Sequence, residues 1–340
     1  MKSTFFFKQL NSPFHDPVVT VRFRREKKAF LFDLGDISGL SVRQALKITH
    51  VFITHMHVDH FIGFTRLVRC LLNRVEPLHV FGPEGILRAV ENALGGFTWN
   101  LVRDYPFRME VCEIRRDVHL RAGFYAHESF RRIDHASAPA AENIIAADGI
   151  TLSARIFDHG IPVLGFSLAE DTHINIDGAA LEKMGLVPGP WLSQYKTALR
   201  ESLLTSGRAA GNTSGPVEGG GRIFTLGGRD FSMADLAQLA FVTKGQKMAY
   251  ITDIAPTDDN LRAAVELARG ADMLFIEAYF LDEDIERARA RNHLTAAVAG
   301  RIARQAGAGD IAVIHISPRC VDMHEQVVAE AMREFKGDVG

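Results

Sequence analysis

The chain reads as an α/β protein built from two sheets packed face to face with helices outside. Three observations predict this. Short apolar runs rich in β-branched residues recur in both halves of the 340 residues, stretches of helical spacing follow them, and metal-binding residue types fall where the strands should end. Strands followed by helices in two successive halves suit a layered sandwich, whose active site lies beyond the strand ends.

Taken in order, Met1–Lys8 is too short in apolar residues and lacks a small-residue cleavage site, so it reads as a first strand and not a signal peptide. Val18–Phe23 and Ala29–Asp33 alternate as paired strands around a basic turn of Arg22, Arg24, Arg25, Lys27 and Lys28. Ile48–Ile53 is apolar enough to be a buried strand, and Leu78–Phe81 a short one. Gly85–Leu94 has helical spacing, and Val118–Leu120, Ile150–Phe157 and Val163–Leu168 are strand-like. Later, Met248–Ile251, Met273–Ile276 and Ile311–Ile316 read as strands, and Thr257–Ala268, His293–Ala306 and Val321–Phe335 as helices. The interval 171–247 breaks this rhythm and reads as an inserted, projecting arm in an otherwise single domain, 1–340. Its Gly/Ser/Ala-rich run from Ser206 to Gly221 has the composition of a flexible tip.

Beyond the strand Ile48–Ile53 the chain runs Thr54-His55-Met56-His57-Val58-Asp59-His60. Three imidazoles and a carboxylate this close together suit zinc, or manganese or iron. If the backbone stays extended past Thr54, His55 and His57 project to one side. If a helix begins near Val58, Asp59 and His60 point from its first turn toward the same place, so one segment can serve two adjacent metals. His159, Asp253 and His315 each stand at the end of a predicted strand and complete a candidate set.

Composition sets the outer bounds. Hydrophobic and charged fractions are those of an ordinary soluble protein, and no apolar run is long enough to span a bilayer. Three scattered cysteines, Cys70, Cys112 and Cys320, exclude a disulfide framework and suit a reducing, cytoplasmic setting. The formal net charge of −2 leaves nucleic-acid binding to local basic patches, the turn above and the pair Arg131–Arg132.

The H-x-H-x-D-H pattern of His55–His60 resembles the signature of the metallo-β-lactamase superfamily, which implies an αββα sandwich. More closely, the chain from about Phe30 to Asp322 resembles ribonuclease Z, an endonuclease that trims tRNA 3′ trailers. The matching segments are Phe157–Phe166, the Gly-Pro stretch Gly185–Pro190, Asn292-His293-Leu294-Thr295 and His315–Arg319. The resemblance implies that His55, His57 and His159 hold one cation, and that Asp59, His60 and His315 hold a second, with Asp253 bridging. It also implies that Asp59 orients or deprotonates the attacking hydroxide and that His293 protonates the leaving alkoxide. Thr295, Ser317 and Arg319 are then candidates for phosphate contacts. Precursor tRNA is the implied partner, two divalent ions the implied cofactor, zinc first, and a homodimer the implied assembly. Paired cations of this kind activate water near neutral pH and offset phosphate charge.

Several positions depart from the family pattern. Lys8–Pro13 lacks the glycines of the family's first loop, Asp33 survives while the family's Glu-Gly-Thr-Gln after Gly35 becomes Asp36-Ile37-Ser38-Gly39, and Val58 replaces a glycine. Thr252 stands before Asp253, and Ile276-Glu277-Ala278-Tyr279 replaces a His-Glu-Ala-Thr segment. These changes leave two further readings open: an ester hydrolase or phosphodiesterase acting on a small molecule, and a metal-binding protein without turnover.

Overall fold

The computed structural model describes residues 5–24, 27–147, 149–205 and 222–337. Arg25 of the basic turn and the Gly/Ser-rich run Ser206–Gly221 lie outside the described residues. The chain divides into two compact units, Met1–Ala169 with Gln246–Gly340, and Glu170–Gly245.

The first unit opens with β1 (Phe5–Gln9), β2 (Val19–Phe23), β3 (Ala29–Phe32), β4 (Ile48–Phe52), β5 (Leu78–Pro83), β6 (Arg108–Ile114), β7 (Val118–Tyr125) and β8 (Arg132–Pro139). They form an eight-stranded sheet in sequence order, parallel from β3 to β6 and antiparallel at both sides. Helices α1 (Val42–Ala45), α2 (Val58–Phe61), α3 (Phe64–Leu71) and α4 (Ile86–Gly95) lie between these strands in sequence. After β9 (Asn143–Ala147), β10 (Ile150–Asp158) and β11 (Pro162–Glu170), the chain enters the second unit. That unit holds β12 (His173–Ile176), α5 (Gly178–Lys183), α6 (Trp191–Thr205), β13 (Ile223–Leu226), β14 (Arg229–Ser232) and β15 (Ala240–Thr243), packed on their own core around Tyr195, Leu199 and Leu236.

The first unit resumes with β16 (Lys247–Ile251), α7 (Asp258–Ala268), β17 (Met273–Glu277), α8 (Ile285–Arg291), α9 (Ala296–Ala306), β18 (Ile311–Ile314) and α10 (His324–Lys336). A second sheet of six strands has the order β18-β17-β16-β11-β10-β9. Alternation along the strands sorts the core into layers. Phe30, Phe32 and Phe52 of the first sheet meet Phe166, Tyr250 and Phe275 of the second in one apolar layer. Leu31, Val51 and Val80 face α3 and α4 on one outer side, and Ile251, Leu274 and Ile276 face α7 and α9 on the other. Two sheets with helices on both outer faces follow from side chains that alternate between two apolar environments.

Parallel pairing brings strand ends to one edge. Ile251 pairs with Ile276 and Glu277 with Ile314, so the residues that follow β16, β17 and β18 emerge side by side. In the first sheet Phe32 pairs with Phe52, which aligns the exits of β3 and β4.

Two predicted elements beside the site have shifted bounds. The helix expected from His293 starts at Ala296, because Asn292 turns left-handed (φ 58°) and the Thr295 hydroxyl caps the first turn. The strand expected to reach Ile316 stops at Ile314, because His315 takes φ 50°.

The exit of β3 and the start of α3 touch through glycines. Gly63 N–H donates to Leu34 O (2.9 Å), and a Cβ on Gly63 would overlap the carbonyl oxygen of Gly35. Gly63→Ala is therefore expected to destabilise the fold by about 1–3 kcal/mol, as overpacking does, read as a lower midpoint in urea with an unchanged slope.

Candidate metal centre

Four strand ends build the site. After β4 the backbone stays extended through His57, which caps α2 with φ −69° and ψ 155°. His55 and His57 thus face the same way, with His55 Nε2 2.9 Å from His57 Nδ1. The first turn of α2 then presents Asp59 and His60, with Asp59 Oδ2 3.4 Å from His60 Nε2. β10 ends on Asp158, so His159 follows at the edge. Asp253 after β16 (φ 55°) and His315 after β18 (φ 50°) turn left-handed, a conformation uncommon for residues other than glycine but one that Asp and His adopt more often than most. That turn stops each strand and directs the side chain inward.

The side chains collect into two donor groups that meet at one carboxylate. His55, His57 and His159 form one triad, and Asp59, His60 and His315 the other. Asp253 Oδ2 lies 3.3 Å from His60 Nε2 and 3.4 Å from His315 Nδ1, and Asp253 Oδ1 lies 3.8 Å from His159 Nε2. All seven residues that the H-x-H-x-D-H pattern and the later strand ends nominate come together.

A buried network aims the imidazoles. Asp33, fully buried and left-handed at φ 56°, accepts bonds from Thr54 N–H (2.7 Å), the Thr54 hydroxyl (2.9 Å), His60 Nδ1 (2.8 Å) and the Tyr250 hydroxyl (2.8 Å). With Nδ1–H given to Asp33, His60 keeps the lone pair of Nε2 for the site. His159 does the same, its Nδ1 bonded to Asn292 O at 2.7 Å. His55 Nδ1 sits 3.1 Å from Thr54 Oγ1, whose own proton goes to Asp33. Such partners fix ring tautomer and orientation around a metal.

Three properties make the residues fit divalent cations. His60 Nε2 and His315 Nδ1 are buried without a hydrogen-bond partner, which is costly unless something else satisfies them. Among the described residues, no lysine or arginine pairs with Asp33, Asp59, Asp253 or Glu277, so the buried negative charge calls for a cation from outside. Burial, then the charge of His60, pushes His55 down to about 2, and burial lowers His57 as well, so both imidazoles are neutral and free to ligate. Burial opposes ionisation of Asp59, but the bond to His315 and the nearness of His60 outweigh it and hold the carboxyl below its ordinary range. Burial likewise disfavours a charged His60, yet Asp33 and Asp253 raise it well above the usual imidazole range. The potential that favours a proton there favours a metal ion equally.

The remaining candidates separate. His293, nearly buried, lies against the centre with Nδ1 2.8 Å from Glu277 Oε2 and 3.6 Å from Asp253 Oδ1. Burial lowers its basicity, but Glu277 reverses this and leaves it raised. Thr295 is engaged at a helix start. Its hydroxyl donates to Asp282 (2.7 Å) and accepts from Val298 N–H, the work of a helix cap. Ser317 is buried and accepts from Arg319 N–H at 3.4 Å, whereas Arg319 itself is exposed. Sequence reading gave no role to Tyr250 or Asn260. Tyr250 stands in the otherwise apolar run Met248–Ile251, where its hydroxyl needs a partner. Asn260 ties the His159 and Asp253 loops together, donating to Asp158 O (2.7 Å) and Ala255 O (2.9 Å).

No family model matches the chain. It is 25% identical over 305 residues to a ribonuclease Z of Deinococcus radiodurans, covering 88% of this chain and 86% of the relative. With a ribonuclease BN of Escherichia coli it shares 30% identity over 304 residues, 86% of this chain and 80% of that one. The chain belongs to the ribonuclease Z/BN family. Solved structures agree on the fold. Human tRNase Z, short form, superposes with a TM-score of 0.51 at 18% identity, covering 93% of both chains. A metallo-β-lactamase fold protein of Bacillus subtilis gives 0.53 at 13% identity, over 98% of this chain and 90% of that one. As a ribonuclease Z/BN family member the protein is a metal-dependent hydrolase, and the expected αββα sandwich is the observed one.

Asp33→Ala removes the acceptor for Thr54, His60 and Tyr250 together. We expect metal affinity to fall about 10- to 100-fold, measured by competition with a chromophoric chelator. Unchanged affinity would separate Asp33 from the orientation of His60.

Proposed function

We propose that this chain is an endoribonuclease that removes the 3′ trailer of precursor tRNA at a centre of two divalent cations, zinc being the expected ion. What supports the reading is the meeting of two donor triads at Asp253 with the His293–Glu277 pair beside them, in a chain whose relatives bear the names ribonuclease Z and ribonuclease BN. His55, His57 and His159 would hold one ion, Asp59, His60 and His315 the other, and Asp253 both. When bound, such ions supply a water acidic enough to lose a proton near neutral pH and positive charge against the phosphate.

The protein's own groups do the rest. Asp59, whose side chain is 36% exposed while its carboxylate leans on His60 and His315, faces the mouth of the centre and would orient the attacking water and take its proton. As the new P–O bond forms, the bond to the leaving oxygen breaks, and that oxygen receives the proton of His293 Nε2. Glu277 holds His293 from the opposite nitrogen, so the ring can carry a proton on each side. Glu277 also accepts from Ile254 N–H (2.8 Å), which fixes it against the Asp253 loop. Ser317 and Arg319 remain candidates for phosphate contacts.

The reading carries RNA as partner and a homodimer from the family resemblance, a cytoplasmic setting from the scattered cysteines, and the 171–247 interval as an inserted arm of a single domain from the break in strand–helix rhythm. No helix among the described residues is long and apolar enough to cross a membrane.

Incubation with precursor tRNA and with bis-p-nitrophenyl phosphate, in zinc or manganese, tests the substrate. Trailer removal is expected, and hydrolysis of the small ester without tRNA trimming would sink the ribonuclease reading. His60→Ala should abolish activity and lower metal content by elemental analysis. His293→Ala should slow turnover about 10²- to 10⁴-fold, the usual worth of a positioned acid, with both metals retained. Metal loss in that variant would show His293 to be a ligand.

A further inference from the structure

The IEAY segment puts a tyrosine beside the centre. The Tyr279 ring lies parallel to that of His293, with centroids 3.9 Å apart and planes at 6°. His293 also meets the His159 ring, at 4.8 Å and 61°. The imidazole is thus held by a flat aromatic face, by the edge of a ligand ring and by Glu277 at Nδ1.

Tyr279 itself is pinned. Its backbone N–H donates to Leu294 O (3.1 Å), in the loop carrying His293, and its carbonyl accepts from Ser317 N–H (3.1 Å), in the loop carrying His315. A hydrogen bond at Nδ1 leaves a ring free to rotate about that contact, whereas a parallel aromatic face fixes the plane. Fixing the plane fixes the direction of Nε2, the nitrogen that would hand over a proton.

We propose that Tyr279 is a positioning residue for the proton donor His293, acting through its ring and not through its hydroxyl. The inference rests on the reading of His293 as proton donor to the leaving oxygen, and its test keeps the two apart. Tyr279→Leu and Tyr279→Met fill the space without a flat ring, and Tyr279→Phe keeps the ring without the hydroxyl. Each is compared with His293→Ala on two substrates: precursor tRNA, whose alkoxide leaving group needs a proton, and bis-p-nitrophenyl phosphate, whose p-nitrophenolate does not.

We expect Tyr279→Leu and Tyr279→Met to lose about tenfold or more in kcat on tRNA, with KM and metal content unchanged and little loss on the small ester. Tyr279→Phe should restore kcat on tRNA to within about twofold of the natural protein. Equal losses on both substrates, loss of metal, or failure of Tyr279→Phe to restore would each overturn the inference. If His293→Ala loses selectively on tRNA and the Leu and Met variants do not, Tyr279 has no positioning role and the donor reading stands. If His293→Ala itself loses equally on both substrates, the donor reading fails, and the inference with it.

Discussion

The carboxylate of Asp33 is the constraint on which the rest depends. It has no solvent exposure and stands in a left-handed conformation at the end of β3. A buried charge is tolerable only when its acceptor capacity is filled, and here it is filled by the loop that carries the histidines and by a tyrosine of the facing sheet. One side chain therefore fixes where Thr54 begins its turn, which nitrogen His60 offers, and how the ends of β3 and β16 lie relative to each other. Removing one partner from such a network leaves several donors buried and unmet, a loss of order 3–5 kcal/mol for a buried charge that loses its partners.

The donor set converges because the ligands follow strands and do not sit within them. Register alone aligns the exits of β16, β17 and β18, and the left-handed turns at Asp253 and His315 then point side chains inward. Conformations of this kind cost free energy and persist where packing over-determines them. The site thus spends fold stability on geometry, and the apolar layers on either side supply the margin.

Much of this was legible in the sequence, for identifiable reasons. The H-x-H-x-D-H run follows a strand of β-branched residues, so both its partners and its direction could be read before any coordinates. His159, Asp253 and His315 were legible because each ends an apolar run. The start of the helix after His293 was misread because helical spacing does not reveal a left-handed residue such as Asn292. Thr295 was read as a phosphate contact because a polar residue near a candidate site looks the same whether it faces substrate or caps a helix. Glu277 was seen to persist, but its bond to His293 crosses between elements and has no local signal. The ring of Tyr279 against His293 is equally silent, since stacking depends on planes that sequence does not encode.

Asp59 and His315, 256 residues apart in the chain, touch across the centre. During synthesis the first triad lacks His159 until β10 has formed, and the second lacks His315 until the last strand is in place. A growing chain therefore carries a partial donor set until His315 has been made. Joining residues this distant costs loop-closure entropy that only the completed core repays. The hydrolytic centre is in this sense a marker of folding, withheld until the strand that precedes His315 has paired.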